Sequence, residues 1–250
     1  MSTEFIIQVD TSSPIPLDHQ IKESVREAIA SERLRPDDLI PSDRELARQS
    51  GIHLLFIRQA IEELIKEGLL YEVESIGVFV ARPKVVQCLP TVLGFSARMR
   101  QSGYLPRSQV LTQQPETVKP SVARQLRIAE EAKVMRLSRL RLADNEPLMI
   151  ETSYLSLDRF PDLLQDDFTV RSLYEVIATR YGVCVHELDQ TLEPVLITEY
   201  EADLLHTSPG APAMLMEVIA LDSGGVPIEF SKSIVRGDKC QYYFRMRSTQ

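Results

Sequence analysis

The stretch PSDRELARQSG, from Pro41 to Gly51, decides the fold because it holds a short helix together with its start and its end. Ser42 followed three residues later by Glu45 is the pattern of a capping box, in which a side-chain oxygen accepts a hydrogen bond from a free backbone N–H. Gly51 favours the left-handed conformation that closes helices. The segment therefore predicts a helix that begins at Ser42 and ends before Gly51.

Helical segments flank this stretch on both sides. Upstream, apolar residues recur every four positions and form one stripe along a helix of about 15 residues; they are Leu17, Ile21, Val25 and Ile29. Downstream, a third helix is predicted from about His53 to Glu67, and residues 69–81 alternate weakly around a turn, which indicates a β-hairpin. Three helices and a hairpin predict a winged helix-turn-helix domain over residues 1–81.

Residues 82–91 carry two prolines and little periodicity, and they predict a linker. Beyond it, residues 92–250 alternate between strand and helix signals, so the second domain is predicted to be α+β with a mostly antiparallel sheet. Two hairpins are predicted, 134–142 with 148–155 and 214–221 with 226–235. Helices are predicted at 121–132, 172–181 and 198–205.

Composition excludes several classes of protein. With 44% hydrophobic and 26% charged residues, the chain can bury a core, which excludes wholesale disorder. It has no run of about 18 apolar residues that would predict a membrane span, and its first residues lack the pattern of a signal peptide. Three widely spaced cysteines indicate a reducing cytoplasm without disulfides. Cys184 and Cys240 are expected in strand cores, and Cys88 falls in the linker.

The chain also lacks the motifs of common enzymes and cofactor sites. Its four histidines are isolated, without the spacing of metal ligands. It contains neither a GxSxG sequence nor a glycine-rich phosphate loop. We therefore expect no catalysis, no metal and no cofactor. The net charge of −8 argues, at first sight, against a nucleic-acid partner.

Several motifs in a fixed order resemble those of a known family. PSDRELA (41–47) and RQAIEELIKEGLLY (58–71) resemble the winged DNA-binding domain of the GntR family. The segments that resemble the UTRA effector-binding domain of its HutC subfamily are RLRLADNEPLMIETSYL (139–155), SLYEVIATRYGV (172–183) and GVPIEFSKSIVRGD (225–238). The resemblance implies a homodimeric, cytoplasmic bacterial transcription regulator with a chorismate-lyase-like second domain. It also implies a repressor that a small effector releases from operator DNA.

The DNA-reading region departs from the family pattern. The resemblance places Arg44, Arg58 and His53 on the surface that meets DNA. However, His53 and the following Leu54–Phe56 replace a serine, an arginine and threonines, and Glu72–Ile76 replace the arginines and glycines of the family wing. The third helix and the hairpin together hold two basic residues against five acidic ones. Contacts from Lys and Arg to phosphate supply most non-specific affinity for DNA, so this charge balance is unfavourable.

These substitutions leave alternatives open. Arg44 and Arg58 either still touch DNA or pair with Glu45 and Glu62 on a solvated helix face. Residues 54–56 either form an exposed apolar patch that meets a protein or are buried by a shifted helix. Operator binding is accordingly expected to be weakened, altered in preference or lost. The alternative function is a ligand-sensing paralogue that acts through protein contacts.

The second domain carries a candidate anion site. Arg139 and Arg141 lie two residues apart on a predicted strand and share a face with Met135 and Leu137. Arginines on an apolar face are costly unless an anion meets them. Phosphate or carboxylate does so through paired, charge-assisted hydrogen bonds. The alternatives are an edge strand with solvated arginines, or a pair with an internal glutamate.

The resemblance adds further ligand residues. Positions that match phosphate-binding residues of the family are Phe95, Ser96, Ser172 and Tyr174, and positions that match its sugar-binding residues are Glu151 and Glu229. Ser172 also fits a helix cap with Glu175 as its partner, and either sugar-binding glutamate also fits a pair with an arginine. Val235 stands where the family often has a tyrosine. These residues predict an amino-sugar phosphate or other phosphorylated sugar as effector, with a small carboxylate second.

Overall fold

A computed structural model describes residues 5–88 and 93–245 of the chain. It divides into two compact units, residues 1–85 (unit 1) and residues 86–250 (unit 2). The boundary falls inside the segment that the sequence predicts as a linker. None of the described helices is long and apolar enough to cross a membrane.

Unit 1 contains, within its described part, three helices and a hairpin, as predicted. They are α1 (Leu17–Ala30), α2 (Asp43–Ser50), α3 (Leu54–Lys66), β1 (Leu70–Val73) and β2 (Gly77–Val80). The Ser42 side chain accepts a hydrogen bond from the backbone N–H of Glu45 at 3.3 Å, and Gly51 ends α2 in the left-handed region at φ 70°. The Glu45 carboxylate bonds to Arg48 and Gln49 instead of returning to the cap, so half of the predicted capping box forms.

The core of unit 1 joins the three helices to the hairpin. The buried face of α1 is formed by Ile21, Val25 and Ala28, and that of α3 includes Ile57 and Leu64. Ile29, which the four-residue spacing also selects, is only partly buried. An ideal helix turns 100° per residue, so a strict four-residue spacing drifts off the buried face.

Unit 2 is α+β, as predicted. Its strands are β3 (Val85–Cys88), β4 (Pro106–Thr117), β5 (Lys133–Ala143), β6 (Glu146–Ser156), β7 (Glu187–Leu196), β8 (Pro212–Leu221), β9 (Pro227–Arg236) and β10 (Cys240–Tyr243). Its helices are α4 (Phe95–Gln101), α5 (Pro120–Leu126), α6 (Leu173–Tyr181) and α7 (Glu199–Leu205), with a 3-10 turn at Leu163–Gln165. An antiparallel sheet in the order β4-β5-β6-β9-β8-β7 dominates, and β3 pairs with β10.

Both predicted hairpins of unit 2 are present. Asp144 and Asn145 join β5 to β6 with φ values of 48° and 72°, as a two-residue turn of the type that suits hairpins requires. Between β8 and β9, the Asp222 carboxylate accepts hydrogen bonds from the backbone N–H groups of Gly224 (2.8 Å) and Val226 (3.0 Å). Local turn chemistry therefore fixes both connections.

The two faces of the sheet have different partners. On one face, Met135 and Leu137 of β5 pack with α6. On the other face, Leu140 of β5 and Ile150 of β6 pack with α7. Side chains alternate between faces along a strand, so the remaining odd-numbered residues of β5 point toward α6.

Several predictions for unit 2 were wrong. The predicted linker contains β3, and the helix predicted over 121–132 ends at Leu126 because Arg127 adopts a left-handed conformation at φ 54°. Cys184 is exposed in the segment between α6 and β7 instead of buried in a strand, whereas Cys240 is buried as expected. The strand inside the predicted linker was not expected, because four residues are too few to show a period.

The start of α7 gives a direct test of helix capping. Thr198 and Glu201 form a complete capping box, with each side chain bonded to the other's backbone N–H. Thr198→Ala should lower the free energy of unfolding of unit 2 by about 1 kcal/mol, because the backbone N–H of Glu201 loses its acceptor. Urea denaturation measures the loss. Thr198→Ser retains the hydroxyl and should remain within about 0.5 kcal/mol of the parent; an equal loss in both variants would contradict the capping role.

Candidate functional site

A cleft in unit 2 lies between the α6-facing side of the sheet and the starts of α4 and α6. Its empty volume is about 520 Å³, including its open mouth. Strands β5, β6, β7, β8 and β9 all contribute side chains to its walls. We call it the arginine pocket, because Arg98, Arg139 and Arg141 line it.

Arg139 and Arg141 are buried, with 3% and 4% of their surface exposed. Strand β5 lies between β4 and β6, so the edge-strand alternative is wrong. Arg139 forms an ion pair with Glu151, which lies directly opposite it on the neighbouring strand β6. The alternative of a pair with an internal glutamate is therefore correct for Arg139. The Nε atoms of both arginines have no hydrogen-bond partner. Donors therefore remain for a further acceptor.

Arg141 makes its hydrogen bonds to neutral side chains, and the Glu151 carboxylate lies 4.0 Å from its Nε. Its Nη1 donates to Ser108 Oγ at 3.0 Å and its Nη2 to Ser96 Oγ at 3.4 Å. The guanidinium carbon lies 4.4 Å from the centre of the Phe95 ring. Burial, followed by the charge of Arg139, lowers the pKa of Arg141 to about 9. The charged form of Arg141 is thus costly in the empty pocket.

Two carboxylates stand opposite the arginines. Burial raises the pKa of Glu151, but Arg139 and Arg141 outweigh burial and hold it below its ordinary value. Glu229 is buried and accepts a hydrogen bond from the Tyr174 hydroxyl at 2.7 Å. Burial, followed by the charge of Glu151, raises the pKa of Glu229. The two glutamates therefore differ in their tendency to ionise.

The surface of α3 and the hairpin forms the second candidate site. His53 caps α3, since its Nδ1 accepts a hydrogen bond from the Leu55 backbone N–H at 3.3 Å. Arg58 pairs with Asp43 at 3.4 Å, and Glu45 pairs with Arg48. The predicted pairs of Arg58 with Glu62 and of Arg44 with Glu45 are therefore wrong. These side chains take nearer partners on α2.

Arg44 remains available on this surface. It is exposed, and it forms no ion pair with any residue that the structure describes. Arg44 and Arg58 are both exposed, so their side chains remain accessible to a binding partner.

Apolar side chains are exposed on the same surface. Leu55 is 63%, Phe56 40% and Ile76 66% exposed, whereas Leu54 is half-buried. The prediction that some of residues 54–56 are exposed is confirmed, and a shifted helix that buries them is wrong. Helical geometry explains the result, because Ile57, Ala60, Ile61 and Leu64 already fill the core face of α3.

Comparison with known proteins identifies the family. The model of bacterial regulatory proteins of the gntR family matches residues 17–80, and that of the UTRA domain matches residues 101–241. The chain is 32% identical over 240 residues to the HTH-type transcriptional repressor NagR of Bacillus subtilis, covering 96% of this chain and 98% of that protein. The chain belongs to the GntR family, with a UTRA domain of the HutC type.

Two further likenesses extend over both units. The histidine utilization repressor of Pseudomonas aeruginosa is 29% identical over 203 residues, which cover 81% of this chain and 80% of that protein. The crystal structure of PhnF from Mycobacterium smegmatis matches with a TM-score of 0.65 at 25% identity, covering 94% of this chain and all of that one. Both matches therefore include residues of each of the two units of this chain.

The UTRA domain brings all the predicted effector residues together. Those that line the arginine pocket are Phe95, Arg139, Arg141, Glu151, Ser172, Tyr174 and Glu229. Ser96 contacts the pocket through Arg141. Ser172 occupies the N-cap position of α6, but its side chain makes no capping bond and Glu175 faces Arg100 at 3.5 Å. The predicted capping box is therefore wrong, and the Ser172 hydroxyl is not engaged at the helix start.

Sequence reasoning missed other residues of the pocket. Gln190, Ser231 and Ser233 add polar groups from β7 and β9. Arg98 of α4 was also missed, although it lies one helical turn after Phe95 and so shares its face, a signal that was present in the sequence. The described residues contain no cluster of His, Cys, Asp or Glu that is arranged to hold a metal ion.

The different pKa shifts of the two glutamates predict opposite effects of neutralisation. The ordinary glutamate pKa is 4.5. The raised pKa of Glu229 means that the folded state retains a proton that the unfolded state loses, so its contribution to stability falls as pH rises above 4.5. The lowered pKa of Glu151 means that its contribution is present above pH 4.5 and lost in acid.

Glu229→Gln should therefore stabilise the UTRA domain at pH 7, and Glu151→Gln should destabilise it by about 3 kcal/mol, as expected for breaking a buried ion pair. The difference for Glu229→Gln should shrink as pH falls toward 4.5, whereas the difference for Glu151→Gln should persist down to pH 4.5 and shrink only below it. Denaturation curves between about pH 3 and pH 8 measure both. Equal effects of the two substitutions at pH 7 would contradict the assignment of the shifts.

Proposed function

We propose that this protein is a cytoplasmic, homodimeric transcription repressor whose affinity for operator DNA is reduced by a small phosphorylated sugar or a similar anion. The observation that carries the proposal is the buried pair Arg139 and Arg141, whose Nε atoms have no partner inside the arginine pocket. Buried charges are costly unless paired, and a bound anion supplies the missing partner.

The start of α6 supports an anionic ligand. This nine-residue helix begins at Leu173, and Ser172, Leu173 and Tyr174 all line the pocket. The first N–H groups of a helix lack partners within it and carry a partial positive charge, which attracts anions. A phosphate group bound here contacts arginines from the sheet and N–H groups from the helix at once.

The remaining walls suit hydroxyl or amino groups. Glu151, Glu229 and Gln190 offer side-chain oxygens, and Ser231 and Ser233 offer hydroxyls. A phosphorylated sugar can bind the arginines through its phosphate and the other polar side chains through its hydroxyl or amino groups, whereas a small carboxylate can bind the arginines alone. The phosphorylated sugar is therefore our first choice and the carboxylate our second.

Helix α4 provides a route for regulation. It is the first helix after the boundary between the units, and its residues Phe95 and Ser96 contact Arg141. An effector that draws Arg141 toward itself changes these contacts and therefore the position of α4. A difference in effector affinity between two positions of α4 gives the coupling that allostery requires.

Substitution of Arg141 tests the effector site. Glucosamine 6-phosphate at 100 times its dissociation constant should stabilise the parent by about 2.7 kcal/mol. Arg141→Gln should abolish this stabilisation, because it removes a buried donor. Arg136→Gln, on the opposite face of the same strand, is the matched control and should respond as the parent does. Calorimetric melting curves measure both, and an unchanged response in Arg141→Gln would refute the site.

A second function is favoured by a specific observation in unit 1. The exposed apolar residues Leu55, Phe56 and Ile76 lie on a surface that also exposes Glu72 and Glu74. Acidic side chains repel the duplex, and apolar patches are typical of protein contacts. This surface supports a ligand sensor with weakened operator binding that acts on another protein.

Removing the negative charges of the β1–β2 hairpin distinguishes the two functions. The double variant Glu72→Gln/Glu74→Gln should bind DNA about 3- to 10-fold more tightly at low salt than the parent, because two repulsive charges are removed. Glu27→Gln/Glu32→Gln changes the net charge equally outside α3 and the hairpin, and should have a smaller effect. Fluorescence polarisation measures these affinities, with DNA duplexes taken from the region upstream of the gene that encodes this protein. Nanomolar, sequence-specific binding by the parent would reject the second function.

A further inference from the structure

Arg98 is a buried cation that forms no ion pair with any residue that the structure describes. It lies on α4, lines the arginine pocket and is only 9% exposed. Its Nε atom has no hydrogen-bond partner, and the guanidinium forms no ion pair with any residue in the described ranges. Arg139, in contrast, is paired with Glu151, and Arg141 is held by two serines.

The charges of the pocket do not balance. Among the described residues, three arginines face two glutamates. Arg139 is hydrogen-bonded to Glu151, and Glu229 accepts its hydrogen bond from Tyr174. Among the described residues, neither Arg98 nor Arg141 is hydrogen-bonded to a carboxylate. The pocket therefore holds two buried arginines whose charges no hydrogen-bonded carboxylate offsets.

We propose that Arg98 is a specificity-determining residue, which makes the pocket select an effector group with two negative charges over a group of the same shape with one. The proposal rests on the effector site described above. The second pKa of a phosphate monoester is about 6, so at pH 7.5 it carries close to two negative charges. Such a group offsets both Arg98 and Arg141, whereas a singly charged group offsets one of them.

The position of Arg98 suits this role. It follows Phe95 by one helical turn, and Phe95 lies against the Arg141 guanidinium, so Arg98 and Arg141 approach the pocket from α4 and from the sheet. A phosphoryl group bound between them accepts hydrogen bonds from both. Hydrogen bonds between ionised groups are shorter and stronger than neutral ones.

Sulfate esters separate charge from shape. A hexosamine 6-sulfate has the same tetrahedral geometry as the 6-phosphate, but only one negative charge. We would measure, by titration calorimetry at pH 7.5, the affinities for glucose, glucosamine and N-acetylglucosamine 6-phosphates and for the matching 6-sulfates. The proteins are the parent, Arg98→Gln, Arg98→Lys and Arg100→Gln. Arg100 lies on the same helix, but its side chain is exposed and faces Glu175, which makes it the matched control.

The parent should prefer the phosphate of at least one sugar by about 10- to 100-fold, the range expected for one additional charged hydrogen bond. Arg98→Gln should reduce this preference to about 3-fold or less, mainly through weaker phosphate binding. Arg98→Lys and Arg100→Gln should retain it. Circular dichroism confirms that each variant is folded.

The inference fails in any of the following cases. If the parent binds phosphate and sulfate equally, or if Arg98→Gln leaves the preference unchanged, Arg98 does not select charge and the effector site itself still stands. If Arg98→Gln weakens both esters by the same factor, Arg98 has only a structural role. If the parent binds none of the phosphates, both the proposed effector class and the inference about Arg98 fail.

Discussion

The ion pair between Arg139 and Glu151 is the constraint on which the arginine pocket depends. Both side chains leave water for the interior of unit 2, and the cost of that transfer often equals or exceeds the attraction gained. The pair is therefore weak evidence for stability. Its structural effect is to fix the Arg139 guanidinium on the α6-facing side of the sheet, where its Nε has no hydrogen-bond partner. The rest of the pocket is arranged around this point.

A single bulge determines which residue meets Arg139. The two-residue turn pairs Ala143 with Glu146, and an uninterrupted ladder would place Ile150 opposite Arg139. A register shift between Arg141 and Leu142 places Glu151 there instead. Directly opposite residues share a face of the sheet, so the bulge places a carboxylate on the arginine face and Ile150 in the cluster with α7. The sequence shows the turn but no signal for the bulge, and for this reason the pair remained one of several alternatives.

Local chemistry explains how much of the fold could be predicted. The helix starts at Ser42 and Thr198 and the turns at Asp144 and Asp222 depend on neighbours within four residues, and each lies where the sequence predicts it. Strands β4 and β7 were missed because they form the two edges of the sheet and carry polar residues on much of their length. Residues of the site were found through strand alternation and family resemblance. The position of Arg98 one helical turn after Phe95 could be read from the sequence, but its lack of a hydrogen-bond partner at Nε is a property of the packed structure.

The two units carry their charge in opposite ways. Residues 1–84 hold ten basic and fifteen acidic residues. Two of the acidic residues, Glu72 and Glu74, are exposed on the β1–β2 hairpin. An exposed charge is solvated and costs the fold little. In unit 2, three arginines are buried around one pocket, where each charge is costly. The acidity of unit 1 thus requires no compensation from the fold, whereas the buried arginines of unit 2 need nearby groups of opposite charge. The proposed effector supplies such a group, so the buried charges of unit 2 constrain the ligand that we propose more tightly than the exposed charges of unit 1 constrain a partner.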